Sequence, residues 1–156
     1  PLLHWTLDAA VACDEISAVY VGTDDAEIAA VAAAFGHPKV RVIERDPSTA
    51  SDQASSESAL LDFARRVDFR RLVFLQATSP LTKSTDLSTA LADMESKKAD
   101  SVVSVVRQKR FIWSVDANGG VAPANYNPAV RPRRQEWDGF LVENGAFYIC
   151  YRAGLL

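Results

Sequence analysis

The sequence predicts an α/β domain, a mostly parallel β-sheet with helices on both faces. Three observations carry that expectation. Up to Val106, short β-rich runs alternate with longer helical apolar patterns, the order that builds parallel sheets through helical crossovers. The run Leu72-Val73-Phe74-Leu75 is apolar without alternation, as a strand covered on both faces is. The chain has 156 residues and 48% hydrophobic content, enough for one domain with a proper core.

The elements follow in order. Leu3 to Cys13 carries a helical stripe at Leu3, Leu7, Ala10 and Val11. Ile16 to Val21 reads as a strand that ends in the turn Gly22-Thr23-Asp24. Asp24, with Glu27 three residues on, has the spacing of a helix N-cap and capping box. Ile28, Val31, Ala32 and Phe35 continue that helix, and Gly36 closes it. Val40 to Ile43 is a second strand. Glu44 to Ser55 is polar and reads as a loop. A helix then runs through Leu60, Phe63, Ala64 and Val67. Beyond the Leu72–Leu75 strand and Ser79-Pro80, a helical face forms at Leu87, Ala90, Leu91 and Met94. Ser101 to Val106 is the next strand. From Arg107 to Asp138 the alternation stops, broken by Asn118-Gly119-Gly120, Pro123, Pro128 and Pro132, so an inserted arm is expected there.

In a parallel sheet, right-handed crossovers bring the strand C-termini to one edge, where ligands bind. Those loops are Gly22–Asp25, Glu44–Ser56 and Gln76–Lys83. The net charge of −3 gives no support to a general nucleic-acid role. It also hides an asymmetry. Residues 107–134 hold six basic residues against Asp116, a local net of +5 that leaves −8 elsewhere. Two lone cysteines, Cys13 and Cys150, lack metal-ligand or disulfide spacing, which fits a reducing cytosol. No apolar run approaches the roughly 20 residues of a membrane span. His4 and His37 have no metal-ligand neighbours, and no nucleophilic triad or Gly-rich phosphate loop can be assembled. The apolar start at Pro1-Leu2-Leu3-His4-Trp5 and the end at Ala153-Gly154-Leu155-Leu156 lead us to expect a piece of a longer chain.

Three segments carry candidate chemistry, and each has a plainer reading. Gln76, at a strand end, has an amide that both donates and accepts and so can bridge two substrates; the plainer reading is a Ser-Pro turn. Ser55-Ser56 opens a helix whose free N–H groups favour anions; the plainer reading is an ordinary serine cap. The cluster Arg131-Pro132-Arg133-Arg134-Gln135 suits a carboxylate or phosphate gripped bidentately. It is equally readable as a solvated basic face or a dimer patch.

Five segments taken together resemble the CMP-sialic acid synthetases (acylneuraminate cytidylyltransferases). They are Val21-Gly22-Thr23-Asp24, Ser51-Asp52-Gln53-Ala54-Ser55-Ser56, Leu75-Gln76-Ala77-Thr78-Ser79-Pro80, Asp100 to Val106, and Asn127 to Gly139. The resemblance covers nearly the whole chain in the right order. It implies a Rossmann-like nucleotidyltransferase domain spanning residues 1–156, incomplete at both ends, with 107–138 as a basic arm for homodimerisation and sugar binding. It implies a reaction of CTP with a nine-carbon 2-keto acid sugar, Mg²⁺ assisting, that yields the CMP-sugar and pyrophosphate in the cytoplasm, or in the nucleus of an animal cell. Other 2-keto sugar acids (3-deoxy-octulosonate, legionaminic or pseudaminic acid) remain open, as do a non-catalytic nucleotide-binding module and a purely structural oligomerisation domain.

By the same resemblance, Arg45 and the Ala54 backbone read the cytosine, with Asp52, Ser55 and Ser56 completing the nucleotide site. Gln76 binds at the sugar and the transferring phosphate. Arg134, Gln135, Asn144 and Tyr148 line the sugar pocket, some across the dimer, and Gln76 and Arg134 carry the catalytic roles. Arg131 is a further anion contact. Relatives often carry a basic residue at the position of Ile112, so the carboxylate grip is expected to shift to Lys109 or Arg110, or the sugar to differ. The family's Arg- and Gly-rich triphosphate loop and its paired-aspartate metal motif are expected outside this chain, which alone should be inactive. The chemistry suits such residues, because phosphoryl transfer rests chiefly on positioning and charge neutralisation.

Overall fold

The computed structural model describes residues 1–49 and 55–156. They form two compact units, residues 1–103 with 145–156, and residues 104–144.

In the first unit, α1 (Leu2–Val11) buries Thr6, Leu7, Ala9 and Ala10, the face its apolar spacing marks out. The Lys39 ammonium closes its C-terminal end, donating to the carbonyls of Val11 and Cys13 at 3.0 Å each. Strand β1 (Val19–Thr23) pairs in parallel with β2 (Val40–Glu44), from Val19 opposite Val40 to Thr23 opposite Glu44. β1 thus starts three residues later than its β-rich run does. It continues through Gly22-Thr23, because parallel pairing with Ile43 and Glu44 holds that dipeptide extended.

Helix α2 (Ala26–Ala34) is capped by Asp25, not Asp24. Asp25 has the extended backbone of a cap, and its carboxylate accepts from the N–H groups of Glu27 and Ile28 at 2.8 and 2.9 Å. Gly36, at φ +72°, turns the chain out of the helix in the left-handed region.

Helix α3 (Ser56–Arg66) precedes β3 (Arg71–Leu75), and α4 (Ser84–Ser96) follows it. The N–H of Lys83 donates to Asp86 at 2.9 Å, fixing the start of α4. β3 lies at the edge of a three-stranded sheet in the order β3-β7-β4, with β4 at Ser101–Gln108 and β7 at Phe140–Tyr151. β3 and β7 run antiparallel, Arg71 opposite Tyr151 and Leu75 opposite Phe147, so the parallel pairing recorded is that of β1 with β2. The core of this unit gathers Leu87, Ala90, Leu91 and Met94 of α4 against Phe147, Ile149 and Cys13. Leu87 and Met94 are fully buried, each contributing about 1.5–3 kcal/mol by removal from water. A short α5 (Arg152–Leu155) ends the chain, its Arg152 donating to the Ala64 carbonyl of α3 at 2.9 Å.

The second unit holds its own small aromatic core. Phe111 and Trp137 stack with centroids 4.8 Å apart, Tyr126 lies 4.5 Å from Phe111, and Phe140 meets Trp137 edge-on. The expected turn at Asn118-Gly119-Gly120 joins a hairpin of β5 (Trp113–Val115) and β6 (Val121–Pro123). The Asp116 carboxylate closes it, accepting from the N–H groups of Asn118 and Gly120. Gly139 is needed where it stands. Its φ is +73°, and a Cβ there would meet the backbone carbonyl of Gln108 in β4.

Candidate active site

The residues picked out by sequence fall into two groups, one in each unit. In the first unit, parallel pairing brings the C-terminal ends of β1 and β2 to one edge. The chain leaves β2 into Arg45, whose N–H donates to the Thr23 carbonyl at 3.1 Å. The arginine stem then lies over Gly22, where an added Cβ would stand 3.5 Å from Arg45 Cγ. Arg45 Nε is buried and has no hydrogen-bond partner among the described residues. A buried guanidinium donor left unmatched is costly, so it marks where an acceptor is wanted. Arg45, Gly22, Ser56 and Ala77 share the lining of a cavity of about 680 Å³ that extends inward between β1 and β3.

Ser55 caps α3, its hydroxyl oxygen accepting from the Ser58 N–H at 3.1 Å, which leaves its O–H as a donor. Ser56, the first residue of that helix, lines the cavity. Asp46, beside Arg45, has its carboxyl held below the usual range by the Ser48 hydroxyl and N–H, which donate to it at 2.6 and 2.8 Å. Asp52 and Ala54 lie outside the described residues.

Gln76 stands at the end of β3. Its N–H donates to the Ala146 carbonyl at 3.1 Å, and its carbonyl accepts from Ser79 N–H at 3.0 Å. The Ser-Pro turn is therefore real, and it anchors Gln76 by its backbone. The side-chain amide, half-buried, has no partner among the described residues, so both its donor and its acceptor stay available.

Tyr148 belongs to the same unit and stacks on Phe74 with centroids 6.3 Å apart. Arg134, Gln135 and Asn144 belong to residues 104–144, so the expected sugar-pocket set is divided between the units. Asn144 accepts from the Ser104 hydroxyl at 2.7 Å, across β7 and β4. Lys109 donates to the Arg134 carbonyl at 3.2 Å. The Arg131 guanidinium lies 4.4 Å from the Phe111 ring centroid and 5.9 Å from that of Tyr126, a cation–π contact built into the aromatic core. Arg133 reaches Glu136 at 4.0 Å, an exposed pair worth little. Arg134 and Gln135 are exposed.

Sequence reasoning passed over Arg66 and Thr6. Arg66, in the last turn of α3, donates to the Glu44 carbonyl at 2.6 Å and to Asp62 at 3.1 Å, bracing the end of β2 beneath Arg45. Nothing local distinguishes it from neighbouring Arg65. Thr6 lies within the apolar stripe of α1, and its buried hydroxyl has no partner among the described residues. Among the described residues, no three His, Cys, Asp or Glu side chains converge as metal ligands.

Comparison with known proteins bears on this arrangement. A family model described as cytidylyltransferase matches residues 1–153. N-acylneuraminate cytidylyltransferase A of Danio rerio is 41% identical over 154 residues, covering 95% of this chain and 35% of that protein. The N-acylneuraminate cytidylyltransferase of Oncorhynchus mykiss is 42% identical over 159 residues, covering 98% of this chain and 36% of that protein. The chain thus spans about a third of the length of the curated relatives it matches. Among solved structures, a CMP–2-keto-3-deoxy-manno-octonic acid synthetase complexed with CTP matches at TM-score 0.68 and 21% identity, covering 99% of this chain and 65% of that one. The 4-diphosphocytidyl-2C-methyl-D-erythritol synthase of Anaerococcus prevotii matches at TM-score 0.69 and 13% identity, covering 97% of this chain and 60% of that one. At these identities the structural likeness establishes the fold alone, a Rossmann-like α/β architecture.

Proposed function

The chain belongs to the cytidylyltransferase family, and from that premise we propose that the full protein transfers CMP from CTP to a sialic-acid-type nonulosonic acid. The observation that carries the reading is the identity of 41–42% to N-acylneuraminate cytidylyltransferases over nearly the whole chain. In the reaction, the anomeric oxygen of the sugar bonds to the α-phosphorus of CTP as the bond to pyrophosphate breaks, the hydroxyl proton leaving to solvent. Such transfers need positioning and charge neutralisation more than covalent catalysis.

Several features support this assignment of roles. The buried, unmatched Nε of Arg45 offers a donor to the cytosine or its ribose, and Gly22 leaves room for the stem. Gln76, fixed by its backbone and unspent in its amide, suits a contact that both donates and accepts between sugar and phosphate. Arg134 and Gln135, exposed in residues 104–144, suit the carboxylate of the sugar acid, and Asn144 and Tyr148 are the further residues that the resemblance assigns to it. Mg²⁺ is the expected counter-ion of the triphosphate. The described residues gather no ligand set for it.

The second unit also exposes Ile112, Trp113, Val115, Val121, Val130 and Leu141. An apolar surface of that kind on so small a unit favours pairing with a second copy, hence a homodimer. The free thiols of Cys13 and Cys150 fit a reducing cytoplasm. Among the described residues, no helix is long and apolar enough to cross a membrane.

The test uses the full-length protein with CTP and, in parallel, N-acylneuraminate, 3-deoxy-octulosonate, legionaminic acid and pseudaminic acid. Pyrophosphate release and the CMP-sugar are both measured. The expected result is the highest kcat/KM with N-acylneuraminate, and a loss of at least about a hundredfold in Gln76→Ala, on the scale of removing one catalytic hydrogen-bonding group. Turnover with none of the acids overturns the proposal, and a preference for another acid overturns the choice of sugar.

A further inference from the structure

In the second unit a short extended segment, residues 110–112, is fastened from both sides. The ladder of β5 with β6 runs from Val115 opposite Val121 to Trp113 opposite Pro123. One backbone bond continues it, from the Ala124 N–H to the Ile112 carbonyl at 2.8 Å. The backbone then departs into the turn Pro128–Val130, which Asn127 caps, and the side chain of Asn125 takes over the pairing. Its Nδ2 donates to the Arg110 carbonyl at 2.9 Å, and its Oδ1 accepts from the Ile112 N–H at 2.9 Å. In an extended chain, the carbonyl of one residue and the N–H two residues on face the same edge, so one planar amide meets both. Aspartate at this position lacks the donor, and alanine lacks both groups.

Packing holds the same segment from its middle. Phe111, between the two clamped groups, lies within 4° of parallel to Trp137, with Tyr126 and the Arg131 guanidinium against the same ring. Side chains alternate along an extended chain, so an inward Phe111 leaves Arg110 and Ile112 on the outer face. Both are exposed, and the Arg110 guanidinium is bound to nothing among the described residues. Two contacts tie this segment to the one that carries Arg134. Lys109 donates to the Arg134 carbonyl at 3.2 Å, and Phe111 stacks on Trp137. The two free guanidinium groups, Arg110 and Arg134, thus stand on segments fastened to each other.

We propose that Asn125 is a positioning residue for recognition of the acid substrate's carboxylate: it acts through Arg110, whose backbone it holds, and touches no substrate itself. That role presupposes the transfer of CMP to a 2-keto sugar acid and adds to it the residue that presents Arg110. A bidentate grip between guanidinium and carboxylate is directional and tolerates little misplacement. An exposed arginine on a loose segment must surrender backbone as well as side-chain freedom on binding, and a clamped one surrenders only the latter. Without Asn125, the Arg110 carbonyl and the Ile112 N–H turn to water, and Phe111 alone tethers the segment. The aromatic core stays in place, so the loss falls on affinity for the acid rather than on the fold.

A double-mutant cycle in the full-length protein tests it, with CTP and whichever acid gives the highest kcat/KM. Asn125→Ala should raise KM for the acid at least about fivefold, the scale of one net hydrogen bond, and leave kcat and KM for CTP within about twofold. Arg110→Ala should raise KM for the acid at least about tenfold. Adding Asn125→Ala to Arg110→Ala should change that KM by less than about twofold, because a residue that acts only through Arg110 has nothing left to act on. Asn125→Gln keeps the amide on a stem one carbon too long. It should show the same loss and the same dependence on Arg110, and it replaces the alanine variant if that one does not fold. Unchanged KM for the acid in the Asn125 variants or in Arg110→Ala overturns the proposal. So does a loss that multiplies with that of Arg110→Ala, and so does a joint change in kcat and both KM values, the mark of a purely structural role. Each of those results leaves the proposed reaction standing, whereas a wild type that turns over no acid overturns the reaction and the role of Asn125 together.

Discussion

Replacing Gly139 with alanine separates two costs that the structure stacks on one residue. The first is conformational. A non-glycine residue at φ +73° pays about 1–2 kcal/mol for the left-handed region. The second is steric. The new Cβ would stand 2.9 Å from the Gln108 carbonyl carbon and closer still to its oxygen, and β4 backbone gives way far less than a flexible side chain. Gly119→Ala provides the control, because φ there is +80° but nothing lies within 4 Å of the added Cβ. Gly119→Ala should therefore cost about 1–2 kcal/mol, and Gly139→Ala at least a further 1–3 kcal/mol, the usual range for overpacking. Urea denaturation of both variants, followed by tryptophan fluorescence, reads the difference, since Trp113 and Trp137 lie in that unit. Equal losses in the two variants would show that Gly139 is not pressed against β4.

Leu87→Ala, which empties a fully buried position in the first core, should lower the stability measured by denaturation by about 2–5 kcal/mol. Arg131→Ala should destabilise the protein by about 0.5–2 kcal/mol through loss of the cation–π contact with Phe111, and leave KM for the sugar within about twofold. Arg134→Ala should do the reverse in the full-length protein, raising KM for the sugar at least about tenfold with no measurable loss of stability; unchanged kinetics in that variant would remove Arg134 from the sugar site. Burial pushes the Cys13 thiol up, the Ser88 hydroxyl opposing in part, and burial alone pushes up that of Cys150. A raised native value stabilises fully below the unfolded-state thiol value of about 8.5 and is lost as pH rises through the native values. The urea midpoint of the wild type should accordingly fall between pH 8 and 10 more than that of Cys13→Ala/Cys150→Ala, and parallel falls would count against the assignment.

The alternation of elements is legible in the sequence because it follows from local periodicity. Leu87, Ala90, Leu91 and Met94 are spaced for one helical face, and all four are buried. What is not local is not legible. Asp24 and Asp25 are equally good caps by composition, and the choice falls to the residue whose backbone is extended where α2 begins. Gly22-Thr23 reads as a turn until β2 is laid beside it. The antiparallel course of β7 against β3 joins segments some seventy residues apart, and no window of sequence carries that register. The candidate site shows the same division. Gln76 stands out as a candidate because its amide both donates and accepts at a strand end, whereas the bracing role of Arg66 depends on a carbonyl of β2.

The basic segment illustrates why counting charges overstates a binding surface. Residues 107–134 carry a net +5, and that charge persists in the fold, so long-range attraction of anions persists too. Directional donors are another matter. Arg107 is held by the Asp138 carbonyl at 3.0 Å, Lys109 by the Arg134 carbonyl at 3.2 Å, and Arg131 by the faces of Phe111 and Tyr126. Arg133 leans on Glu136. Among the described residues, Arg110 and Arg134 are left with guanidinium groups bound to nothing, and a bidentate grip on a carboxylate requires that freedom. Lys109 also fixes Arg134 by its backbone while leaving its side chain clear. Arrangement of this kind leaves Arg110 and Arg134 free by spending their neighbours, and we expect recognition of a sugar acid to turn on these two rather than on Arg131 or Lys109.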